Sequence, residues 1–435
     1  MKEFFEYFIK YLFSTIITAL SLILLIATYY KSEIVYDGNL RDYYIQYFIV
    51  SLLLFIFSVI SFFLNQEAKK NILTFFSSIF LVLYTLDISL FFYDMYKVKK
   101  TKTKISKFED KKNFDQRSRL EVYEELKKND PTYVITLSPQ NYINDDLDIL
   151  PLSGISNSPS IFCNESGYYS VYLSDRFGFN NEDNDWNNET IDFLIVGDSF
   201  AQGACVNRPN DITSILKKLS GKNIINIGYG GNGPLTEYAA LREYSSIRKV
   251  KNVIWLFFSN DINDLNSEYK NKILKKYLKD KNFSQNLAFK QNIIDELALK
   301  KLNSLKKKEE KKKNFDFYGF LKLNNLRDLI QFKENKNFDQ IKKTLSFAKE
   351  LIEQKNGNFY FIYLPSFDEI NSKKISSDKL SMDKITEQLE IKNVNIYDFI
   401  KQKKNSLDFF PYQKQGHYSK FGYKEIGQKI FNEIF

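Results

Sequence analysis

Imidazole is nearly absent from this chain: among 435 residues there is one histidine, His417, and there are two cysteines, Cys163 and Cys205. A Cys/His zinc cluster needs four such ligands, so that class of site is excluded. Any acid–base step that needs an imidazole has His417 alone to use. Arginine is scarce too. Of the 62 Lys+Arg residues eight are arginines, so lysine supplies most of the net charge of +9. A surface built to grip phosphates favours Arg for its bidentate contacts. Here lysine is spread among Asp and Glu, which reads as compositional bias, and no nucleic-acid partner is expected. The length suggests two or three folding units, since single cores stop growing at roughly 250–300 residues.

Long apolar runs are present at the amino terminus: about 8–29, 44–64 and 72–93. Each approaches the ~20 residues needed to cross a hydrocarbon core of ~30 Å as a helix. Buried helices of a soluble core would carry polar faces at a 3.6-residue period, and these runs lack them. The first is long for a signal peptide and no A-x-A site follows it. The reading is three transmembrane helices within residues 1–96. Asp87 lies inside the third, where an ionisable group is costly, and is expected to face the bundle and hydrogen-bond a neighbouring helix. The positive-inside count sets Lys2, Lys10, Lys69 and Lys70 against Lys31, Arg41 and the run from Lys97 to Lys107, which taken literally makes the large domain cytoplasmic. Lysine abundance blurs that count.

Residues 97–150 read as a charged linker with a short helix at SRLEVYEELKK, and 151–435 as one domain. Within it, apolar runs at 191–197, 223–229, 252–258, 358–364 and 393–399 suit buried parallel strands. Helical patterns at 211–219, 234–249, 338–355, 378–390 and 420–434 separate or follow them. This alternation predicts an α/β fold, a three-layer α/β/α sandwich with a parallel sheet. A lysine-rich helical insertion, 266–335, interrupts it, and its run 306–313 reads as a solvated helix face. The Asn/Asp-rich stretch SDRFGFNNEDNDWNNE does not have calcium-loop spacing and reads as turns leading into the sheet.

Four stretches stand at the ends of successive elements: FLIVGDSFAQGACV with Ser199, NIINIGYGGNGP with Gly231, FFSNDIND with Asn260, and QGHYSKFGYKEIG with His417. A serine needs a base to become nucleophilic near neutral pH, and a tetrahedral intermediate needs donors aimed at its oxyanion. In this combination and order the chain resembles the SGNH (GDSL-type) hydrolases. The resemblance spans about 191–430. It implies Ser199 as nucleophile, His417 as general base, and the amides of Ser199, Gly231 and Asn260 as oxyanion donors, with no cofactor or metal.

One position departs from that pattern. An aspartate commonly precedes the histidine by three residues, and here Lys414 stands there. Three readings follow: another carboxylate replaces it, with Asp408 the nearest upstream; a backbone carbonyl serves a Ser-His dyad; or catalysis is weak or lost. Cys163 and Cys205 flank the strand that carries Ser199, and a disulfide between them closes a loop across it; two reduced thiols are the alternative. The resemblance implies an esterase at the inner membrane, its catalytic domain extracytoplasmic, acting on an acylated carbohydrate or lipid of the cell envelope. The rivals are an O-acetyltransferase served by a membrane acyl-donor partner and a catalytically silent glycan-binding module.

Overall fold

The computed structural model describes residues 2–36, 38, 41–108, 114–145, 147–311, 319–320, 322–329, 336–372 and 374–435. Residues 312 and 313 of the lysine run lie outside these. The chain forms two compact units, one of residues 1–109 with 312–335 and one of 110–311 with 336–435.

The first unit holds α1 (Lys2–Tyr29), α2 (Arg41–Ser61) and α3 (Gln66–Phe108). Its stretches Tyr11–Val35, Tyr43–Ser61 and Gln66–Tyr93 are long and apolar enough to cross a membrane. Side-chain placement supports that use. α1 packs on α2, and the buried positions among the described residues are Ser14, Ser21 and Thr28 on one helix and Tyr44, Ser51, Ser58 and Ser61 on the other, seven residues apart except for Ser61. Ile16, Ile23, Leu53 and Leu81 are exposed. Small polar residues inside and large apolar ones outside reverse the order of a water-soluble bundle and suit hydrocarbon as the solvent. The Ser51 and Ser58 hydroxyls donate to the Tyr47 and Phe55 carbonyls of their own helix at 2.7 and 2.6 Å, so they bring no unpaired donor into the interface. α3 continues to Phe108 without a break near residue 96.

Asp87 is fully buried. Its partner is the short helix Asn324–Leu329, not a neighbouring span: the carboxylate accepts from Asn325 Nδ2 at 3.0 Å and from the Leu326 N–H at 2.8 Å. The Tyr84 and Phe320 rings meet 5.0 Å apart. The insertion expected at 266–335 is therefore divided. Its helices α9 (Lys272–Lys279) and α10 (Gln291–Lys311) belong to the second unit, whereas Phe320 and the helix Asn324–Leu329 return to α3.

The second unit opens with α4 (Arg119–Asn129), the helix expected within SRLEVYEELKK. A capping box starts it: Ser118 Oγ accepts the Glu121 N–H, and the Glu121 carboxylate accepts the Ser118 N–H at 2.7 Å. β1 (Val134–Ile135), β2 (Pro159–Ile161) and β3 (Val171–Leu173) form a small sheet. Val122, Tyr123, Ile135, Leu137 and Ile161 share one apolar cluster with Leu302 of α10. The second half of the expected linker is thus built into the domain, because its apolar residues have a surface to bury against.

The main sheet contains β4 (Thr190–Gly197), β5 (Ile224–Asn226), β6 (Lys249–Phe258), β7 (Asn358–Leu364) and β8 (Lys392–Asn393). The order is β5-β4-β6-β7-β8, with every pair parallel. α6 (Ile212–Ser220) and the carboxyl-terminal helix Lys420–Ile434 pack together on one face, over Phe193, Ile195, Ile254 and Ile362. α7 (Pro234–Tyr244) and the helix Phe338–Glu353 pack together on the other. This is a three-layer α/β/α sandwich. The run 393–399 differs from the expected strand: pairing stops after Asn393, Asn395 Oδ1 caps the Asp398 N–H at 3.0 Å, and a helix follows over Ile396–Lys401.

The chain leaves β4 for β5 on one side and then crosses to β6 on the other. Between β4 and β6 the winding reverses, and the crevice beyond the carboxyl ends of such strands is where open α/β sheets bind ligands. Ser199 follows β4 and Asn260 follows β6.

Candidate active site

Sterics shape the turn after β4. Gly197 has φ +154°, and a Cβ there would lie 2.5 Å from the Leu256 carbonyl oxygen and 2.8 Å from Ala201 Cβ. Glycine lets the strand pass this close to β6. Asp198 caps the single helical turn α5 (Ser199–Gln202) by accepting the Phe200 N–H at 2.9 Å, and Gly203, at φ +82°, ends it. Asp198 is fully buried. Burial pushes its carboxyl up to about 6, while the Phe200 N–H and the nearby His417 charge pull it down.

Ser419 caps the carboxyl-terminal helix through the Gly422 N–H at 3.1 Å. Two residues before that cap, His417 brings Nε2 to 2.8 Å from Ser199 Oγ. Glu165 completes the relay. Its Oε1 lies 2.9 Å from His417 Nδ1, and its Oε2 accepts the His417 backbone N–H at 2.6 Å. A Cβ on Gly416 would come within 2.7 Å of that Oε2, so the residue before the histidine has to be small. Burial raises the Glu165 carboxyl, but the bonds and charge of His417 outweigh it and hold it below its ordinary value. Glu165 therefore faces the imidazole as a carboxylate.

Asp408 does not occupy that place. Its carboxylate accepts Gln413 Nε2 at 2.8 Å, within the turns that precede the histidine. The local reason is the Glu165 clamp: both the ring and the backbone N–H of His417 are already bonded to one carboxylate. Sequence reasoning missed Glu165 because it lies 252 residues upstream. A signal was available, since Glu165 stands two residues after Cys163.

The Cys163 and Cys205 sulfurs are bonded, with Cα atoms 4.9 Å apart. Together with a His417 nitrogen they lie within 4.8 Å of one another. Sulfurs tied in a disulfide are not thiolates, however, so the trio in this state offers no soft-metal ligand set.

The glycine loop leaves one amide available. Gly228, Tyr229 and Gly230 donate to Asn226 Oδ1, the Gly197 carbonyl and Gln202 Oε1 at 2.8, 3.0 and 2.7 Å. Among the described residues the Gly231 N–H donates to no protein acceptor. Gly231 has φ +78°, and a Cβ there would strike Ser138 Oγ at 2.2 Å. Asn260 stands at the N-cap position of α8 (Asp261–Glu268); its Nδ2 donates to Asp264 Oδ2 at 3.0 Å, and its buried Oδ1 has no protein partner among the described residues.

Acids surround this edge of the sheet. Burial, Glu268 and Asp198 raise the Asp264 carboxyl to about 8, against a lowering by its Asn260 bond. Glu237 and Asp261 are raised well above the carboxylate range, first by burial and then by their acidic neighbours. Asp264, at about 8, is therefore mostly protonated near pH 7. Glu268 serves the backbone instead. It accepts the Gly233, Leu235 and Thr236 N–H groups at the start of α7, which anchors the loop carrying Gly231. The Asn/Asp-rich stretch is turns, as expected, except for a short 3₁₀ helix at Asp183–Asn187: Asp175 accepts from Trp186, Asn181, Phe177 and Phe179, and Asp183 pairs with Arg176.

No protein-family model matches the chain, and none of the curated proteins does. Among solved structures it is similar to a lipase/acylhydrolase from Enterococcus faecalis at 12% identity, covering 56% of this chain and 95% of that one, with a TM-score of 0.35. It is also similar to the acetyl xylan esterase AlAXEase, at 11% identity over 56% of this chain and 100% of that one, with a TM-score of 0.32. A catalytic mutant of an acetylxylan esterase from Geobacillus stearothermophilus matches at 11% identity over 57% of this chain and 94% of that one, with a TM-score of 0.33. At such overlap, what identifies the site is its own geometry: a Ser–His–Glu hydrogen-bonded relay at the point where the winding of a parallel sheet reverses.

Proposed function

We propose that this protein is a membrane-anchored serine esterase of the SGNH type. The observation that carries the reading is the unbroken relay from Ser199 Oγ through both nitrogens of His417 to Glu165. Ser199 Oγ attacks an ester carbonyl carbon while His417 Nε2 takes its proton. Glu165, bonded at Nδ1, holds the tautomer that can accept that proton and stabilises the imidazolium that forms. The N–H groups of Ser199 and Gly231 and the Asn260 carboxamide stabilise the oxyanion. The C–O bond of the leaving alcohol then breaks as His417 returns the proton to it. Water, or an acceptor hydroxyl, repeats the sequence in reverse on the acyl-enzyme and frees Ser199.

The substrate class is an ester-linked acyl group on an envelope carbohydrate or lipid, reached by a catalytic domain on the extracytoplasmic side of the inner membrane. The anchor and the oxidised cysteine pair support that placement, since disulfides persist outside the reducing cytosol. Against the silent binding module, Glu165 supplies the carboxylate that Lys414, at the expected acid position, does not. The test is hydrolysis of p-nitrophenyl acetate by the full chain in detergent. Ser199→Ala is expected to lower turnover by about 10⁴-fold or more, and equal turnover by both forms overturns the reading.

A further inference from the structure

We infer that the Cys163–Cys205 disulfide is a positioning device for the catalytic relay: it clamps the loop carrying Glu165 onto the turn carrying Ser199, so that the relay is complete only in the oxidised chain. The inference rests on the serine-esterase reading above.

The relay is assembled from three distant pieces of sequence, and the disulfide joins two of them. Cys163 precedes Glu165 by two residues, and Cys205 follows Gly203, the end of the Ser199 turn, by two. Cys205 Sγ lies 3.8 Å from His417 Nδ1, the nitrogen that Glu165 holds. Cys205 is fully buried, and at φ +61° it sits in the left-handed region that a side chain disfavours, a conformation that persists where surroundings over-determine it.

Other hydrogen bonds of the loop lead elsewhere. Phe162 and Ser170 pair by backbone within the loop, Asn164 Nδ2 donates to the Asp115 carbonyl, and the Phe162 carbonyl accepts Arg119 Nη1. None of these reaches the serine turn or the histidine segment. What remains between the loop and the catalytic elements is packing of Phe162 and Tyr172 on Ala204 and Cys205, two hydrogen bonds at the loop's far end (Gln202 Nε2 to the Tyr172 hydroxyl at 2.8 Å and the Val171 N–H to Asn207 Oδ1 at 2.9 Å), the Lys420 ammonium over the Tyr168 ring, and the Glu165–His417 bonds themselves. Cutting the S–S bond removes the tie to the serine turn nearest the carboxylate, two residues from Glu165, and leaves those at Val171 and Tyr172 on the far side of the loop. It also places a thiol beside Nδ1 as a competing partner.

The experiment uses the full chain in detergent and dithiothreitol as the reductant. The two dithiothreitol thiols close to a cyclic disulfide, and their two hydrogens pass to the Cys163 and Cys205 sulfurs. Turnover of p-nitrophenyl acetate and the rate of Ser199 labelling by a fluorophosphonate are measured before reduction, after it and after reoxidation. A displacement of about 1 Å in a catalytic group costs on the order of 10²-fold. Reduction is therefore expected to lower kcat and the labelling rate by about that factor, with KM little changed and recovery on reoxidation. A merely structural role is separated by repeating the reduction in Glu165→Gln, where no further loss is expected because the group being positioned is already disabled. The Cys163→Ser/Cys205→Ser double variant should match the reduced protein; if it fails to fold, the reduced wild-type protein, shown to keep its circular dichroism, carries the test. Unchanged kcat on reduction, or an equal loss in wild type and Glu165→Gln, overturns the inference. Absence of Ser199-dependent turnover in the oxidised wild type overturns instead the esterase reading beneath it.

Discussion

Replacing Glu165 by Gln keeps the size of the side chain while removing its charge and one acceptor. In the native site both carboxylate oxygens accept from His417, one from Nδ1 at 2.9 Å and one from the backbone N–H at 2.6 Å. A glutamine satisfies only one of these donors. If its oxygen stays on the backbone N–H, its NH₂ faces Nδ1, which then has to accept. The ring proton moves to Nε2, the nitrogen 2.8 Å from Ser199 Oγ, and the base can no longer take the serine proton. If the amide turns over, its NH₂ opposes the backbone N–H, and the imidazolium still lacks a compensating charge. A wrong tautomer of this kind costs about 10⁴-fold in a Ser-His-acid relay, equivalent to about 5 kcal/mol of barrier. The loss belongs in kcat, with KM little changed, since Glu165 acts through His417 and not on the substrate. Steady-state turnover of p-nitrophenyl acetate by the detergent-solubilised full chain measures it, with Asp408→Asn as the companion variant. Turnover of Glu165→Gln within about threefold of wild type, or a larger loss in Asp408→Asn, would refute the assignment of the acid.

Other outcomes follow from the same geometry. Asn260→Ala should lower kcat by about 10²–10³-fold, the cost of one oxyanion donor, and a loss confined to KM would remove it from that role. Gly231→Ala sets a Cβ 2.2 Å from Ser138 Oγ at φ +78°, so thermal melts should report a loss of about 1–3 kcal/mol. Ser138→Gly in the same chain should return part of it, and a neutral Gly231→Ala contradicts the packing. The Asp264 carboxyl stands at about 8, above its unfolded value of ~3.9. Between those pH values the folded chain binds a proton that the unfolded chain does not, so this group's contribution to stability falls as pH rises. Asp264→Asn should therefore raise the melting temperature relative to wild type more at about pH 8 than at about pH 5, and the reverse order contradicts burial of a neutral acid. Asp87→Leu removes the acceptor of Asn325 Nδ2 and the Leu326 N–H; limited proteolysis should then cut within 319–329 faster, and unchanged cleavage would argue against that anchorage.

The layers of the fold were legible because they follow from periodicity. β4, β6 and β7 fall on the apolar runs, and the helices at 212–220, 338–353, 377–388 and 420–434 fall within a residue or two of the helical patterns. Local rules failed where local chemistry differs from hydropathy. The run 393–399 is apolar enough for a strand, yet Asn395 caps a helix there. Residues 119–135 looked like linker because their apolar residues are few, and the partner that makes them core, Leu302, lies in the insertion. In the site, Ser199 and His417 were legible from motif order. Glu165 was not, because the motif directs attention just upstream of the histidine, whereas the chain delivers its carboxylate from a loop that precedes the main sheet. The Cys163–Cys205 bond sets Glu165 beside the serine turn. Asp87 was expected to bond within the bundle; its partner comes from a segment more than two hundred residues away in the chain, a contact that hydropathy cannot encode.

The central claim is a covalent acyl-enzyme on Ser199. The direct measurement is peptide mass mapping of the full chain quenched in acid during turnover of p-nitrophenyl acetate. The account predicts one acetyl group on the peptide containing Ser199, accumulating in His417→Ala only if that variant still acylates, and absent from Ser199→Ala. Sustained Ser199-independent turnover with no acetyl on that peptide, or an acetyl on another residue that turns over at the steady-state rate, would contradict it.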